Sequence, residues 1–351
     1  MIDISTTNTS TTLRLRSGQA LSASNKQQTT NTSTTLRLRS GQALSASNKQ
    51  PTTNPLYSFW KFSRPHTIIG TSLSVLALYL IAVGNMAEII NFNYLGYFLA
   101  AWFACLCGNI YIVGLNQLED VAIDRINKPH LPLASGEFSQ QQGQWIVGIT
   151  GILALIIATW QGPWLLATVG ISLAIGTAYS FPPIRLKRFP FWAAICILTV
   201  RGAIVNLGLF LHFSNKLHQL EYLSAAVWAL TLFILFFSVA IAIFKDVPDL
   251  EGDRQYGIAT FTIIMGKLAV FNLANAIIIS CYGGMILAAI FALPGVNRLL
   301  LAMVHCGLLG LLWWRSRRVD LEDKREIASF YQFIWKLFFL EYLLFPVVCL
   351  L

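Results

Sequence analysis

Two short stretches concentrate oxygen-bearing side chains at the ends of long apolar runs. The first, Asn116-Gln-Leu-Glu-Asp120-Val-Ala-Ile-Asp124, offers Asn116, Asp120 and Asp124; the second, Asp246-Val-Pro-Asp249-Leu-Glu-Gly-Asp253, offers Asp246, Asp249 and Asp253. Carboxylates held against a bilayer are costly and mark function by default. Two such clusters facing each other repel unless a cation lies between them. Mg²⁺ suits that place, because it takes hard oxygen ligands and commonly combines one or two carboxylates with substrate phosphates. The chemistry indicated is the handling of a diphosphate through Mg²⁺. Asn116, Asp120 and Asp124, spaced i, i+4, i+8, are expected along one helix face, each about 6 Å from the next. Asp246, Asp249 and Asp253, at i, i+3, i+7, also share a face, but Pro248 and Gly252 predict a break between a span's end and a short new helix. A solvated helix end explains one cluster as well; it does not explain two at corresponding positions.

A diphosphate also calls for basic residues. Arg185, Lys187 and Arg188 follow Tyr179-Ser-Phe-Pro-Pro, although membrane-side anchoring explains them equally well. Arg201 is different. It stands about ten residues into an apolar run, where an arginine must face a cavity or a partner, and Asn206 is near enough in sequence to line the same cavity. Arg64 and His66 open the first apolar run and are placed to reach substrate or anchor the helix. His130 is a weaker candidate; His212, His218 and His305 read as structural. The six cysteines lie inside apolar segments without metal-ligand spacing, which indicates small buried hydrophobes rather than disulfides or zinc.

The elements that must carry these groups are membrane helices. The chain has 351 residues, 55% hydrophobic and only 12% charged, against about 25% charged in soluble domains, with mean hydropathy +0.60. Nine runs approach the roughly 20 residues needed to span a bilayer: 66–84, 94–117, 144–160, 163–181, 191–212, 222–244, 268–292, 297–314 and 332–351. The fold class expected is an all-α, multi-pass integral membrane protein with these helices around a central cavity. Lys and Arg crowd the N-terminal tail and alternate loops, leaving only Lys216 and Arg298 opposite. That pattern puts the N-terminus and both acidic clusters on the cytoplasmic (or stromal) side. It also explains the net charge of +9 without nucleic acid as a partner. Residues 1–55 are expected to be a disordered tail, Ser/Thr/Asn-rich, in which Thr6–Gln27 recurs as Thr29–Gln50; a targeting role is the alternative. The transmembrane domain is 56–351.

Together these residues resemble the UbiA superfamily of intramembrane aromatic prenyltransferases, with its N-x-x-x-D-x-x-x-D motif after the second span and D-x-x-D-x-x-x-D motif after the sixth. The similarity covers roughly residues 56–351. The stretch from Asn116 to Glu137, with Arg-Ile-Asn-Lys-Pro-His-Leu-Pro-Leu-Ala-Ser-Gly-Glu, and the stretch Phe244 to Asp253 resemble the homogentisate branch. Many relatives have Asn-Asp where this chain has Asn116-Gln117, which removes one carboxylate; the basic loop also departs from the Tyr-x-x-x-Lys spacing of some relatives. The resemblance implies transfer of a phytyl group from phytyl diphosphate to homogentisate, with loss of CO₂ and diphosphate, in tocopherol synthesis. It implies Mg²⁺ on Asp120, Asp124, Asp246 and Asp249, with Asn116 and Asp253 in support, and Arg64 or Arg201 on the acceptor's carboxylate. Phe103, Tyr111, Tyr179, Phe181 or Trp192 would shield an allylic cation, and CO₂ loss would restore aromaticity. It implies a plasma, thylakoid or plastid-envelope membrane. Alternatives are geranylgeranyl or solanesyl donors, or chlorophyllide, naphthoate or hydroxybenzoate acceptors. A cation-coupled transporter is the reading from another class, and both clusters lying at one membrane face argues against it.

Overall fold

A computed structural model describes residues 54–84, 92–218, 222–255, 257 and 260–351; the duplicated tail segment lies outside them. Nine helices among the described residues are long and apolar enough to cross a membrane: Pro65–Gly84, Tyr94–Glu119, Gln140–Gln161, Pro163–Ser180, Phe191–Leu217, Ala225–Phe244, Lys267–Ile290, Arg298–Ser316 and Lys324–Leu350. Below they are the first to ninth spans. Each packs against its neighbour in sequence and the ninth returns to the first, closing a ring. The sixth span is the most buried and also touches the fifth and ninth. The chain is a multi-pass integral membrane protein.

Local signals set the boundaries. Pro65 and Pro163 open their helices, where a missing N–H costs nothing. Ser139 and Gln142 form a reciprocal capping box, so the third span starts at Gln140 rather than near 144. Asp323 accepts from the Arg325 N–H and starts the ninth span at Lys324 rather than near 332.

Two departures from regular helix shape the interior. The second span ends at Glu119, and Asp120 leaves helical geometry (φ −114°, ψ 16°) before a short helix, Val121–Asn127. The single unbroken face expected for Asn116, Asp120 and Asp124 is therefore absent. After the sixth span a turn carries Asp246 to Asp249 into helix Leu250–Gln255, with the break expected at Pro248. The two short helices pack together, and Gly252 is what lets them: a Cβ there would lie 1.9 Å from Asn127 Oδ1. Within the fifth span, Leu198–Ile204 widens into π-helical turns around Arg201. Such wide turns concentrate at functional sites.

Candidate active site

A cavity of about 790 Å³ opens among the first, second, fourth, fifth, sixth and ninth spans. It is lined by Arg64, His66, Asn116, Asp120, Asp124, Tyr179, Arg185, Lys187, Arg188, Arg201, Asp246, Asp249 and Asp253, so thirteen of the fourteen candidate residues converge on it. Asn206 is the exception. It is fully buried and lies behind the wall, bonded to helix carbonyls.

Every acid bank carries protein cations. Asp120 accepts from Arg185 Nη2 at 2.9 Å, Lys187 Nζ at 2.6 Å and Asn116 Nδ2 at 3.2 Å. Asn116 in turn accepts from Arg64 Nη2 at 3.3 Å. Across the cavity, Lys128 Nζ lies 2.5 Å from Asp249 Oδ2, and Lys245 Nζ lies 3.9 Å from Asp246 and 3.3 Å from the Tyr179 hydroxyl. Asn127 Nδ2 donates to Asp253 Oδ1 at 3.4 Å. Lys128 and Asn127 thus tie the two acidic loops across the mouth. The sequence showed both residues but gave their partners no signal, because the pairing spans about 120 residues. Arg64 and Arg185 share a further feature: among the described residues they and Ala292 are the non-glycine residues in left-handed backbone, φ 52° and 40° for the two arginines. Backbone strain of this kind clusters at ligand clamps.

Seven basic side chains line the cavity against five aspartates, yet Asp124 and Asp253 have no cation closer than 4.0 Å among the described residues. Burial first, then Asp246 and Asp249, push the Asp253 carboxyl up to about 7. Burial also raises Asp246 and Asp124 despite nearby cations. Asp124 Oδ2 is buried without a hydrogen bond, its nearest cation, Arg64 Nη2, being 4.0 Å away. Burial lowers Lys187, and Asp120 opposes that shift. Among the described residues no group of three or more His, Cys, Asp or Glu is drawn together as a closed metal site. The acids instead form two facing banks in which Asp124 and Asp253 lack a close cation. That donor set, oxygen only and negatively charged, fits a hard divalent cation shared with phosphate oxygens better than a protein-only cage.

The opposite wall is aromatic, supplied mainly by the ninth span. Tyr331, Trp335, Phe338 and Tyr342 line it, with the His66 ring 5.0 Å from Trp335. Of the rings expected to shield a cation, Tyr179 alone lines the cavity. Phe103, Phe181 and Trp192 are about half exposed on the outer surface, and the Tyr111 hydroxyl is engaged with Thr177. The Tyr331, Trp335, Phe338 spacing of i, i+4, i+7 was the available signal, hidden in a run of apolar residues on all sides. Gln117 also turns away from the cavity. It is buried, its Nε2 donating to Phe62 O at 2.7 Å and Val113 O at 3.2 Å, so it locks the second span to the segment before the first.

Residues 71–337 match the UbiA prenyltransferase family. The chain belongs to that family. It is 59% identical over 292 residues to homogentisate phytyltransferase from Synechocystis sp., covering 83% of this chain and 95% of that one. It is 43% identical over 296 residues to homogentisate phytyltransferase 1, chloroplastic, from Arabidopsis thaliana, covering 83% and 75%. Its fold matches a UbiA homologue from Archaeoglobus fulgidus solved with GPP and Mg²⁺, at TM-score 0.56 and 16% identity over 83% of this chain and all of that one. As a UbiA-family member the chain is a membrane prenyltransferase, and the cavity is where its sequence motifs meet.

Proposed function

We propose that this prenyltransferase moves a phytyl group from its diphosphate to homogentisate, releasing diphosphate and CO₂, as a step of tocopherol synthesis. The observation that carries the reading is the cavity's division: acids and cations at the loop end, aromatic rings and one arginine deeper in. The 59% identity to a homogentisate phytyltransferase supports the choice of substrates.

Asp120, Asp124, Asp246 and Asp249 would hold Mg²⁺, with Asn116 and Asp253 in support; when bound, the metal supplies Lewis-acid neutralisation of the departing diphosphate. Lys128, Arg185, Lys187 and Arg188 are positioned to share that charge. In the free protein three of them rest on aspartates, so they exchange a carboxylate for a phosphate oxygen with their charge already oriented. As the allylic C–O bond breaks, Tyr179, Tyr331 and Trp335 face the carbocation with ring π-density and exclude water. The electron-rich hydroquinone ring attacks, forming the new C–C bond. The ring proton lost equals the proton taken up by the side-chain carbon when CO₂ leaves, so no oxidant or external acid is consumed. Lys and Arg placement supports an active face on the cytoplasmic or stromal side, and the cyanobacterial and chloroplast relatives support a membrane of a photosynthetic organism.

The test is product analysis with membranes carrying the protein, Mg²⁺, homogentisate and competing phytyl, geranylgeranyl and solanesyl diphosphates. A phytylated methylhydroquinol as the main product is expected. A dominant geranylgeranyl or solanesyl product would reassign the donor; no homogentisate product at all would reject the acceptor.

A further inference from the structure

The cavity holds two arginines that could meet an acceptor's carboxylate, and the structure separates them. Arg64 is committed at the acid end, bonded to Asn116 and facing Asp124. Arg201 has no carboxylate partner among the described residues. Its guanidinium lies 4.8 Å over the Trp335 ring and 5.7 Å over Phe338. Stacking on ring faces leaves the planar N–H edge free, and that edge matches a carboxylate in bidentate fashion.

The backbone beneath Arg201 is held by a specific device. The wide turn of Leu198–Ile204 displaces carbonyls from ordinary helix bonding, and Asn206 Nδ2 takes two of them, Arg201 O at 3.1 Å and Gly202 O at 2.7 Å. Asn206 Oδ1 accepts from the Tyr342 hydroxyl at 2.9 Å. Tyr342 shares a ninth-span face with Trp335 and Phe338, at i, i+3 and i+7. One face of the ninth span therefore grips Arg201 twice, by rings at the guanidinium and through Tyr342 and Asn206 at the backbone. Gly202 closes the arrangement, since a Cβ there would meet Leu235 Cα of the sixth span at 2.8 Å.

We propose that Arg201 is the anchor for the carboxylate of the aromatic acceptor, and that Asn206 and Tyr342 are positioning residues that set its reach. The inference rests on the reading that the acceptor is an aromatic carboxylate. It places the acceptor's negative charge deep in the cavity, away from the acids and from the donor's diphosphate. Selection between acceptors then becomes a property of the fifth and ninth spans rather than of the metal motifs.

The experiment compares wild type, Arg201→Gln, Arg201→Lys and Tyr342→Phe with phytyl diphosphate and homogentisate, using methylhydroquinone as a carboxylate-free competitive inhibitor. Loss of a charge-assisted bond should raise the homogentisate KM of Arg201→Gln about 10- to 100-fold. The KM for phytyl diphosphate and the inhibition constant of methylhydroquinone should stay near wild type, and Arg201→Lys should recover part of the loss. Tyr342→Phe should raise the homogentisate KM several-fold alone and have no further effect with Arg201→Gln, because both act on one interaction. An unchanged homogentisate KM in Arg201→Gln, or equal weakening of methylhydroquinone, overturns the anchor. Equal effects of Tyr342→Phe in both backgrounds overturn the positioning role. Wild-type protein inactive toward homogentisate would overturn the parent reading along with this one, whereas an active wild type with an indifferent Arg201→Gln overturns this one alone.

Discussion

Gly252→Ala isolates the contact that brings the two acidic loops together. The added Cβ would sit 1.9 Å from Asn127 Oδ1 and 2.4 Å from Asn127 Cγ, where ordinary contact begins at 3.4 Å. Relief requires a shift of about 1.5 Å, the difference between those contacts. With the partly buried Asn127 amide held in place by its bond to Asp253, the short helices part. That separation moves Asp249 and Asp253 relative to Asp120 and Asp124. A misplacement of about 1 Å can cost about 100-fold in rate, near 2.7 kcal/mol of barrier. The clash lies in the loop layer outside the spans, so the thermal unfolding temperature in detergent should move little. The assay is the initial rate of prenyl transfer to labelled homogentisate, with Asn127→Gly as the second substitution. Removing the Asn127 side chain should restore most of the activity. Gly252→Ala at the wild-type rate, or a rate loss that Asn127→Gly leaves untouched, would refute the idea that this contact sets the spacing of the acids.

Other expectations follow from the same geometry. Gln117→Asp, which places a carboxylate beside Asn116, should destabilise the protein by at least about 2 kcal/mol in thermal unfolding, because it buries a carboxylate and deletes the bond to Phe62 O; it should bring no gain in activity. Lys128→Met should lower the Mg²⁺ concentration needed for half-maximal thermal stabilisation, since Asp249 loses its competing ammonium, while costing under about 1 kcal/mol without Mg²⁺ because the pair is partly exposed. An unchanged or raised Mg²⁺ requirement would contradict that. Deleting residues 1–50 should leave prenyl transfer intact; loss of activity with normal membrane insertion would give the repeated tail a function.

The spans and acidic motifs were legible because their signals are local: apolar length, alternating Lys and Arg, and carboxylates at fixed offsets. The break before Pro248 could be read for the same reason. What escaped depends on partners distant in sequence. Nothing in Val121–Asn127 announces that Lys128 and Asn127 bridge to the second cluster, and no local pattern marks Asp120 as the point where the second span ends. Arg201 was conspicuous as a charge in an apolar run, but the widened turn beneath it was not, because it depends on Asn206 and Tyr342. Asn206 illustrates the limit well. Its spacing placed it beside the cavity, yet its amide serves the helix backbone instead. The aromatic wall was misplaced because rings recur throughout a membrane helix, and only packing decides which face the interior.

The most direct test uses carboxyl-labelled homogentisate, phytyl diphosphate and Mg²⁺, counting labelled CO₂ against prenylated product. The account predicts one CO₂ per product with the wild-type protein, and loss of both with Asp120→Ala or Asp246→Ala, since each removes one bank of the cavity. Product formation that survives both substitutions, or prenylation that leaves the label on the ring's side chain, would contradict it.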